Sequence, residues 1–202
     1  METNIYFVRH AQPDFSAKDD LIRPLSEKGL EDAKKVTKIL MDKNITSIYS
    51  SPFKRAIDTI NDFANKSQIE IITVDDFCER RVGQWLEDFK SFSQRQWRDF
   101  NFKLDRGESL YEVQKRNINA LFSVIRDNIG KNVVVATHGT ALSTIINYFN
   151  PAFDYEGFLD IADKMPYVLC FKFNEMKLQC IEEIEFELWT VYKDSNKNSN
   201  MA

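Results

Sequence analysis

Residues 132–137 read Asn-Val-Val-Val-Ala-Thr, a run that is apolar on both faces of any strand it forms. Such a strand has to be covered on both sides, which is typical of the parallel sheets of α/β proteins. Residues 5–8 and 45–49 are two further β-rich runs, and an amphipathic helical segment follows each of them. This alternation predicts an α/β domain, a three-layer α/β/α sandwich with a mostly parallel central sheet.

Capping signals predict where the helices begin. Ser26 is placed to cap one helix, whose buried stripe is expected at Leu30, Ala33, Thr37 and Leu40. Ser51 and Pro52 are predicted to cap and start a second helix over about residues 53–64. The tetrapeptide Ser-Leu-Tyr-Glu at residues 109–112 matches a capping box and opens a long helix.

Length and pattern predict one domain over residues 1–193. Further helices are expected over residues 87–102 and 140–149. The first of these lies in an excursion from the strand–helix alternation, about residues 76–108, which we expect to form a small helical cap.

The C-terminal third has a different pattern. Alternating runs at residues 167–173 and 178–192 predict a hairpin. An edge strand of this hairpin is a candidate for pairing across a homodimer. Residues 194–202 are polar and are expected to form a disordered tail.

Composition excludes several classes of protein. A net charge of −4 removes the usual electrostatic argument for binding nucleic acid. No apolar run approaches the ~18 residues of a membrane span, and the N-terminal residues carry no secretory pattern. Three widely spaced cysteines match neither a zinc motif nor a disulfide framework. We therefore expect a cytoplasmic protein without a metal, a nucleic-acid partner or a membrane partner.

Histidines and arginines follow the predicted strands at the point where each strand ends. Arg9 and His10 follow the first run, Arg55 comes shortly after the second, and His138-Gly139 follows the third. Ligands bind parallel sheets outside the carboxyl ends of the strands. A lone histidine is more often structural, but this chain has only two and both occupy such places. Guanidinium forks and a helix N-terminus suit the binding of an oxyanion such as phosphate.

Four motifs in this order resemble the histidine phosphatase superfamily, the group that contains the phosphoglycerate mutases. They cover about two thirds of the chain and stand at residues 8–11 (Val-Arg-His-Ala), 50–56 (Ser-Ser-Pro-Phe-Lys-Arg-Ala), 79–83 (Glu-Arg-Arg-Val-Gly) and 137–139 (Thr-His-Gly). Residues 24–29 and 107–109 are similar to further stretches of the family. The resemblance implies a phosphoglycerate mutase-like fold.

The resemblance also implies a mechanism. His10 would attack phosphorus to form a phosphohistidine, while Arg9, Arg55 and His138 hold the phosphoryl oxygens. Glu79 would protonate the leaving oxygen and then activate water. A glutamate beside arginines ionises readily, so burial would have to retain its proton. The apolar neighbours available along the sequence are Phe77, Cys78 and Trp85.

The implied ligand is a small phosphorylated metabolite, with inorganic phosphate as product and no cofactor or metal. Gln12, Gly139, Arg80 and Arg81 are candidate substrate-binding residues. For the two arginines a surface salt bridge is an equal alternative. The aromatic and basic stretch at residues 85–103 has two equally good interpretations: it forms a lid over the substrate, or it packs its aromatic side chains on the core.

Two departures from the family pattern bear on the reaction. Ala11 stands where the family usually has glycine. Alanine fits there only if the backbone φ at that position is negative. Gln12-Pro13-Asp14 replaces the Glu and Ser or Thr of the mutase-like branch, and a carboxylate at Asp14 near the phosphate would disfavour a second phosphate group. These residues favour a phosphatase; the alternatives are a mutase and a catalytically inactive sensor of phosphorylated ligands.

Overall fold

Six strands form one sheet in the order β3-β2-β4-β1-β5-β6 in the computed structural model, which describes residues 1–185. The strands are β1 (Glu2–Arg9), β2 (Ile45–Ser50), β3 (Ile71–Thr73), β4 (Asn132–Thr137), β5 (Tyr167–Asn174) and β6 (Lys177–Glu183). The helices are α1 (Glu27–Met41), α2 (Lys54–Ser67), α3 (Phe89–Arg98), α4 (Leu110–Asp127), α5 (Gly139–Phe149) and α6 (Tyr155–Ala162).

The four strands β1 to β4 run parallel, β5 pairs antiparallel with β1, and β6 pairs antiparallel with β5. Arg9 of β1 stands opposite Thr137 of β4, and Ser50 of β2 stands opposite Ala136. The carboxyl ends of these three strands therefore meet at one edge of the sheet. The prediction of a mostly parallel α/β sheet is confirmed.

Alternate residues of the central strands enter two separate apolar cores. Phe7 and Val135 pack on one face beneath α4 and α5, whereas Val8 and Val134 pack on the other beneath α1 and α2. All four side chains are fully buried, and each contributes about 1.5–3 kcal/mol through burial. The two cores establish the three-layer sandwich that the doubly apolar run at residues 132–137 predicts.

The helix caps agree with the sequence at two of three places. Ser26 accepts a hydrogen bond from the Gly29 amide at the start of α1. Ser109 and Glu112 form the reciprocal capping box of α4. The third helix, α2, begins at Lys54 with Phe53 as its cap, so the prediction that Ser51 and Pro52 start it is wrong.

One predicted core position of α1 is also wrong. Ala33, Thr37 and Leu40 are buried, but Leu30 is 51% exposed. At this end of the helix Gly29 faces the protein, since a Cβ there would lie 2.1 Å from the Gln12 carbonyl oxygen. Leu30, one residue further round the helix, is turned away.

Between β3 and α4 the chain departs from the alternation of strands and helices. A 3₁₀ turn at Asp75–Phe77 precedes Glu79, and α3 is shorter than the helix expected over residues 87–102. Trp97 of α3 packs edge-on against Phe153 and tilted against Phe158. Phe158 belongs to α6, a helix that the sequence patterns did not indicate.

The C-terminal hairpin is confirmed over Tyr167–Asn174 and Lys177–Glu183. The remainder of the 178–192 run, the end of the domain at residue 193 and the tail at 194–202 lie outside the described residues. Across residues 1–185, every helix is too short or too polar to cross a membrane.

Candidate active site

The two histidines of the chain lie together at the carboxyl edge of the sheet. The His10 amide donates to the Thr137 carbonyl, which holds the residue after β1 beside the end of β4. The rings of His10 and His138 meet edge to face with their centroids 5.2 Å apart. His10 is 6% exposed and His138 is fully buried. The convergence of the strand ends thus creates an imidazole pair.

Hydrogen bonds orient the imidazole of His10. Its Nδ1 lies 2.8 Å from the Ala11 carbonyl oxygen, which only accepts, so Nδ1 carries the proton. Its Nε2 accepts from Arg55 Nε at 3.2 Å. The φ at Ala11 is negative, so alanine fits where the family usually has glycine. The Ala11 amide donates to Thr59 Oγ1 at 2.9 Å.

The imidazole pair is held neutral. Burial lowers the pKa of His10 well below its usual value, and the neighbouring His138 and Arg55 lower it further. Burial and then Arg55 and Arg9 act in the same direction on the pKa of His138. A neutral imidazole is the nucleophilic form.

Arg55 is buried in the first turn of α2 and points its guanidinium at the pair. Beyond His10, it donates through Nη1 to the Asp20 carbonyl at 2.6 Å, and Nη1 lies 3.1 Å from the Asp20 carboxylate. Asp14, the carboxylate that the sequence offered as a neighbour of the phosphate, accepts from the Ser16 amide at 2.9 Å. Asp20 was missed because nothing in its local sequence distinguishes it from the other acidic residues of the loop.

Arg9 reaches the same edge from β1. Its Nη1 donates to the Ile161 carbonyl at 2.6 Å and to the Lys164 carbonyl at 3.2 Å, and its buried Nε has no partner among residues 1–185. Gly139 makes room for this guanidinium, since a Cβ there would lie 3.1 Å from Arg9 Cζ. The small residue at the start of α5 therefore lets Arg9 lie against that helix end.

His138 has a partner, Ser51, that sequence reasoning treated first as a helix cap. Its Nε2 lies 2.7 Å from Ser51 Oγ, while its Nδ1 has no partner among the described residues. Phe53 packs edge-on against the ring at 5.0 Å. Ser51 follows β2 and thus belongs to the same cluster of strand ends.

Glu79 places its carboxylate at the N-terminus of α5. It accepts from the amides of Arg80 at 2.7 Å, Thr140 at 3.0 Å and Ala141 at 3.2 Å. Burial raises its pKa, but the charge of Arg80 and the amide hydrogen bonds outweigh burial, so the pKa is lowered. Trp85 is 89% exposed and gives no apolar shielding. Glu79 is therefore ionised in the free protein.

The other candidate substrate-binding residues are held by α3 and neighbouring loops. Arg80 is buried, donates to Gln96 of α3 and lies over the ring of Phe92 at 5.1 Å. Arg81 is exposed and donates through Nε to the Arg106 carbonyl at 3.1 Å. The side chain of Gln12 accepts from Ser26 Oγ at 3.0 Å. Within residues 1–185 their side chains thus hydrogen-bond to α3 and to loops rather than to the imidazole pair.

The donor set of this site suits an anion. Over residues 1–185 no three His, Cys, Asp or Glu side chains converge into a group that could hold a metal ion. Two guanidiniums and two neutral imidazoles lie at the strand ends, and Arg forks match the geometry of phosphate oxygens. The arrangement can bind a tetrahedral oxyanion beside a nucleophilic nitrogen.

Comparison with known proteins agrees with this geometry. The family model of the Histidine phosphatase superfamily (branch 1) matches residues 5–182. The chain is 30% identical over 159 residues to a metal-independent phosphoserine phosphatase of Arabidopsis thaliana, covering 71% of this chain and 67% of the relative. It is 30% identical over 152 residues to phosphoserine phosphatase 1 of Hydrogenobacter thermophilus, covering 66% and 70%.

A solved structure has the same fold. Phosphoserine phosphatase from Entamoeba histolytica, in complex with 3-phosphoglyceric acid, superposes with a TM-score of 0.75 at 18% identity. The match covers 92% of this chain and 98% of that one. With the family model spanning nearly all described residues and the imidazole pair at the strand ends, the chain belongs to the histidine phosphatase superfamily, branch 1.

Proposed function

We propose that this protein is a metal-independent phosphomonoesterase that hydrolyses small phosphorylated metabolites through a phosphohistidine on His10. The observation that carries the proposal is the neutral His10 imidazole, whose Nε2 lone pair faces Arg55 and whose ring meets His138 at 5.2 Å. Nδ1 is occupied by the Ala11 carbonyl, so Nε2 is the nitrogen free to attack phosphorus.

In the first step the ester phosphate replaces the Arg55–His10 contact. Nε2 of His10 forms the new N–P bond as the P–O bond of the ester breaks. Arg9, Arg55 and His138 hold the phosphoryl oxygens and stabilise the charge that spreads over them in the transition state. The buried Nε of Arg9 and Nδ1 of His138, which lack partners among residues 1–185, support this role.

Glu79 handles the proton in both steps. The bound phosphate places negative charge near the ionised carboxylate, which raises its pKa and lets it take a proton from the monoanionic ester. Glu79 then gives that proton to the leaving alkoxide. In the second step it takes a proton from water, whose oxygen attacks phosphorus as the N–P bond breaks to leave neutral His10. Glu79 then passes this proton to the departing inorganic phosphate and is ionised again.

The proposed substrate class is based on the substrates and ligands of similar proteins. Two of them are phosphoserine phosphatases, and the structural relative holds 3-phosphoglyceric acid. We propose small phosphorylated carboxylates, with Arg80, Arg81, Gln12 and Gly139 nearest the organic part of the substrate. The carboxylate of Asp20 beside Arg55 disfavours a second phosphate group, which supports hydrolysis over mutase activity.

The test is substitution of His10 by alanine, assayed with p-nitrophenyl phosphate after thermal melting has shown that the variant is folded. Turnover is expected to fall to background, and the parent protein should form an acid-labile phosphoryl adduct that the variant lacks. EDTA should leave turnover unchanged and vanadate should inhibit. A folded variant with parental turnover would refute the assignment of His10 as the nucleophile.

A mutase is distinguished by incubation with 3-phosphoglycerate. Release of inorganic phosphate faster than formation of 2-phosphoglycerate is expected for the phosphatase. The reverse order of rates would make the protein a mutase and reject the hydrolytic assignment.

We further propose a reducing, cytoplasmic setting and a homodimer. The three free cysteines support the first proposal. The second is supported by β6, which lies at the edge of the sheet formed by residues 1–185. Light scattering on the purified protein measures the mass, and a monomeric mass would reject the dimer.

A further inference from the structure

We propose that Arg116, on α4, is a positioning residue that fixes Glu79 for proton transfer, with Glu108 as the residue that orients it. The inference rests on the proposed function, in which Glu79 is the general acid and base. It assigns a task to two residues that, within residues 1–185, do not hydrogen-bond to the imidazole pair and belong to no predicted catalytic set.

The guanidinium of Arg116 hydrogen-bonds to most of the backbone carbonyls of residues 76–79, the segment that leads to Glu79. Nη1 of Arg116 donates to the carbonyls of Asp76 at 2.7 Å and Cys78 at 2.9 Å, and Nη2 donates to the carbonyl of Glu79 at 3.2 Å. Three of four consecutive backbone carbonyls therefore have the same donor. The fourth, that of Phe77, accepts from Thr137 Oγ1 at 3.2 Å.

Glu108 orients the guanidinium. It forms a bidentate pair with Arg116, with Nε–Oε1 at 2.9 Å and Nη2–Oε2 at 3.2 Å. Both side chains are mostly buried, at 18% and 15% exposed. Oε2 of Glu108 also accepts from the Arg81 amide at 2.9 Å. The pair thus hydrogen-bonds to the backbone before and after Glu79, at the Cys78 carbonyl and the Arg81 amide.

Glu79 needs an anchor of this kind because of where it stands. It lies between a 3₁₀ turn and the cap, outside any helix or strand. Its carboxylate now accepts from amides at the start of α5, and the proposed reaction has to direct it in turn to the leaving oxygen and to water. Backbone anchorage through Arg116 persists through both steps, and misplacement of a reacting group by about 1 Å can cost 10²-fold in rate.

The decisive property is dependence on the leaving group. A p-nitrophenolate leaves without protonation, whereas the alkoxide of phosphoserine needs the proton of a general acid. General acid catalysis contributes about 10²–10⁴-fold, so Glu79→Gln should slow the release of serine in a single turnover far more than the release of p-nitrophenolate. Single turnovers are compared because the later attack of water, which Glu79 also assists, is the same for both substrates. If Arg116 acts through Glu79, its substitution should also affect phosphoserine more than aryl phosphate, by a smaller factor than Glu79→Gln does.

The experiment compares Arg116→Lys with Arg126→Lys, an exposed arginine of the same helix that donates to Ser123. Arg116→Lys keeps the charge but loses the planar fork. In a single turnover, which reports only the first step, we expect the rate of serine release from phosphoserine to fall about 10- to 100-fold and the rate of p-nitrophenolate release to change less than about threefold. Arg126→Lys should change neither, and in a Glu79→Gln background Arg116→Lys should add less than about twofold.

Several outcomes would overturn the inference. Equal losses on both substrates, or a change confined to KM, would make Arg116 a purely structural residue. A full additional loss in the Glu79→Gln background would show that it acts elsewhere. If Arg116→Lys fails to fold, Glu108→Gln replaces it and must show the same selectivity. Equal losses in Glu79→Gln itself would instead remove Glu79 as the acid, a failure of the proposed function.

Discussion

The hydroxyl of Thr59 links α2 to the loop that carries the nucleophile, and Thr59→Val tests its importance. Thr59 is fully buried; its Oγ1 accepts from the Ala11 amide at 2.9 Å and donates to the Arg55 carbonyl at 2.7 Å. Valine keeps the shape but leaves the buried Ala11 amide without a partner. Ala11 in turn supplies the carbonyl that orients His10.

The cost follows from that orphaned donor. A buried donor without a partner costs about 1–3 kcal/mol. For a chain of this size each kcal/mol lowers Tm by about 2–4 °C, so Tm should fall by about 2–12 °C. Since the Ala11 peptide is then free to shift, kcat should also fall several-fold.

The assay is thermal unfolding alongside steady-state turnover of p-nitrophenyl phosphate, with Thr144→Val as the matched control. Thr144 is also fully buried in a helix, but its hydroxyl only donates to a carbonyl of its own helix, that of Ala141. Its replacement orphans no amide. Equal Tm values for the two variants would refute the reasoning from the unpaired Ala11 amide.

Three further predictions concern charge and capping. Asp20→Asn removes a carboxylate that competes with phosphate for Arg55, so the inhibition constant of inorganic phosphate should fall about two- to fivefold; a rise would contradict the competition. Because burial and cationic neighbours lower the pKa of His10 and His138, their ¹⁵N shifts should remain those of neutral imidazole at pH 6. The unfolded chain then binds more protons, and the free energy of unfolding should fall below pH ~6.5 by up to about 1.4 kcal/mol per pH unit for each imidazole, measured by urea titration. Ser109→Ala removes the capping box of α4 and should cost about 0.5–2 kcal/mol in the same titration; an unchanged midpoint would show that the cap is dispensable.

Local patterns predicted the parts of this protein that depend on neighbours along the chain. The doubly apolar run at residues 132–137 indicated a covered parallel strand, and the capping box at residues 109–112 marked the start of α4. The failures are also local in origin. Leu30 fits the periodicity of α1, but the periodicity does not show how far along the helix the core extends.

The chemistry of the site divides in the same way. That both histidines follow buried strands could be read from the sequence, because the carboxyl ends of parallel strands meet at one edge whatever the loops do. The hydrogen-bond and ion-pair partners of the site residues could not be read from the sequence. Ser51 beside His138, Asp20 on Arg55 and Arg116 on the carbonyls near Glu79 join residues 35 to 87 positions apart.

The sequence by itself therefore determined the layers of the fold and the identity of the imidazole pair, since periodicity and the positions where strands end depend on local patterns. Only the tertiary structure decided that Glu79 is ionised at the start of α5, that Trp85 is exposed and that Arg80 is buried against α3. The physical reason is that burial and hydrogen-bond partners arise from segments distant in sequence, which meet only when the chain has folded.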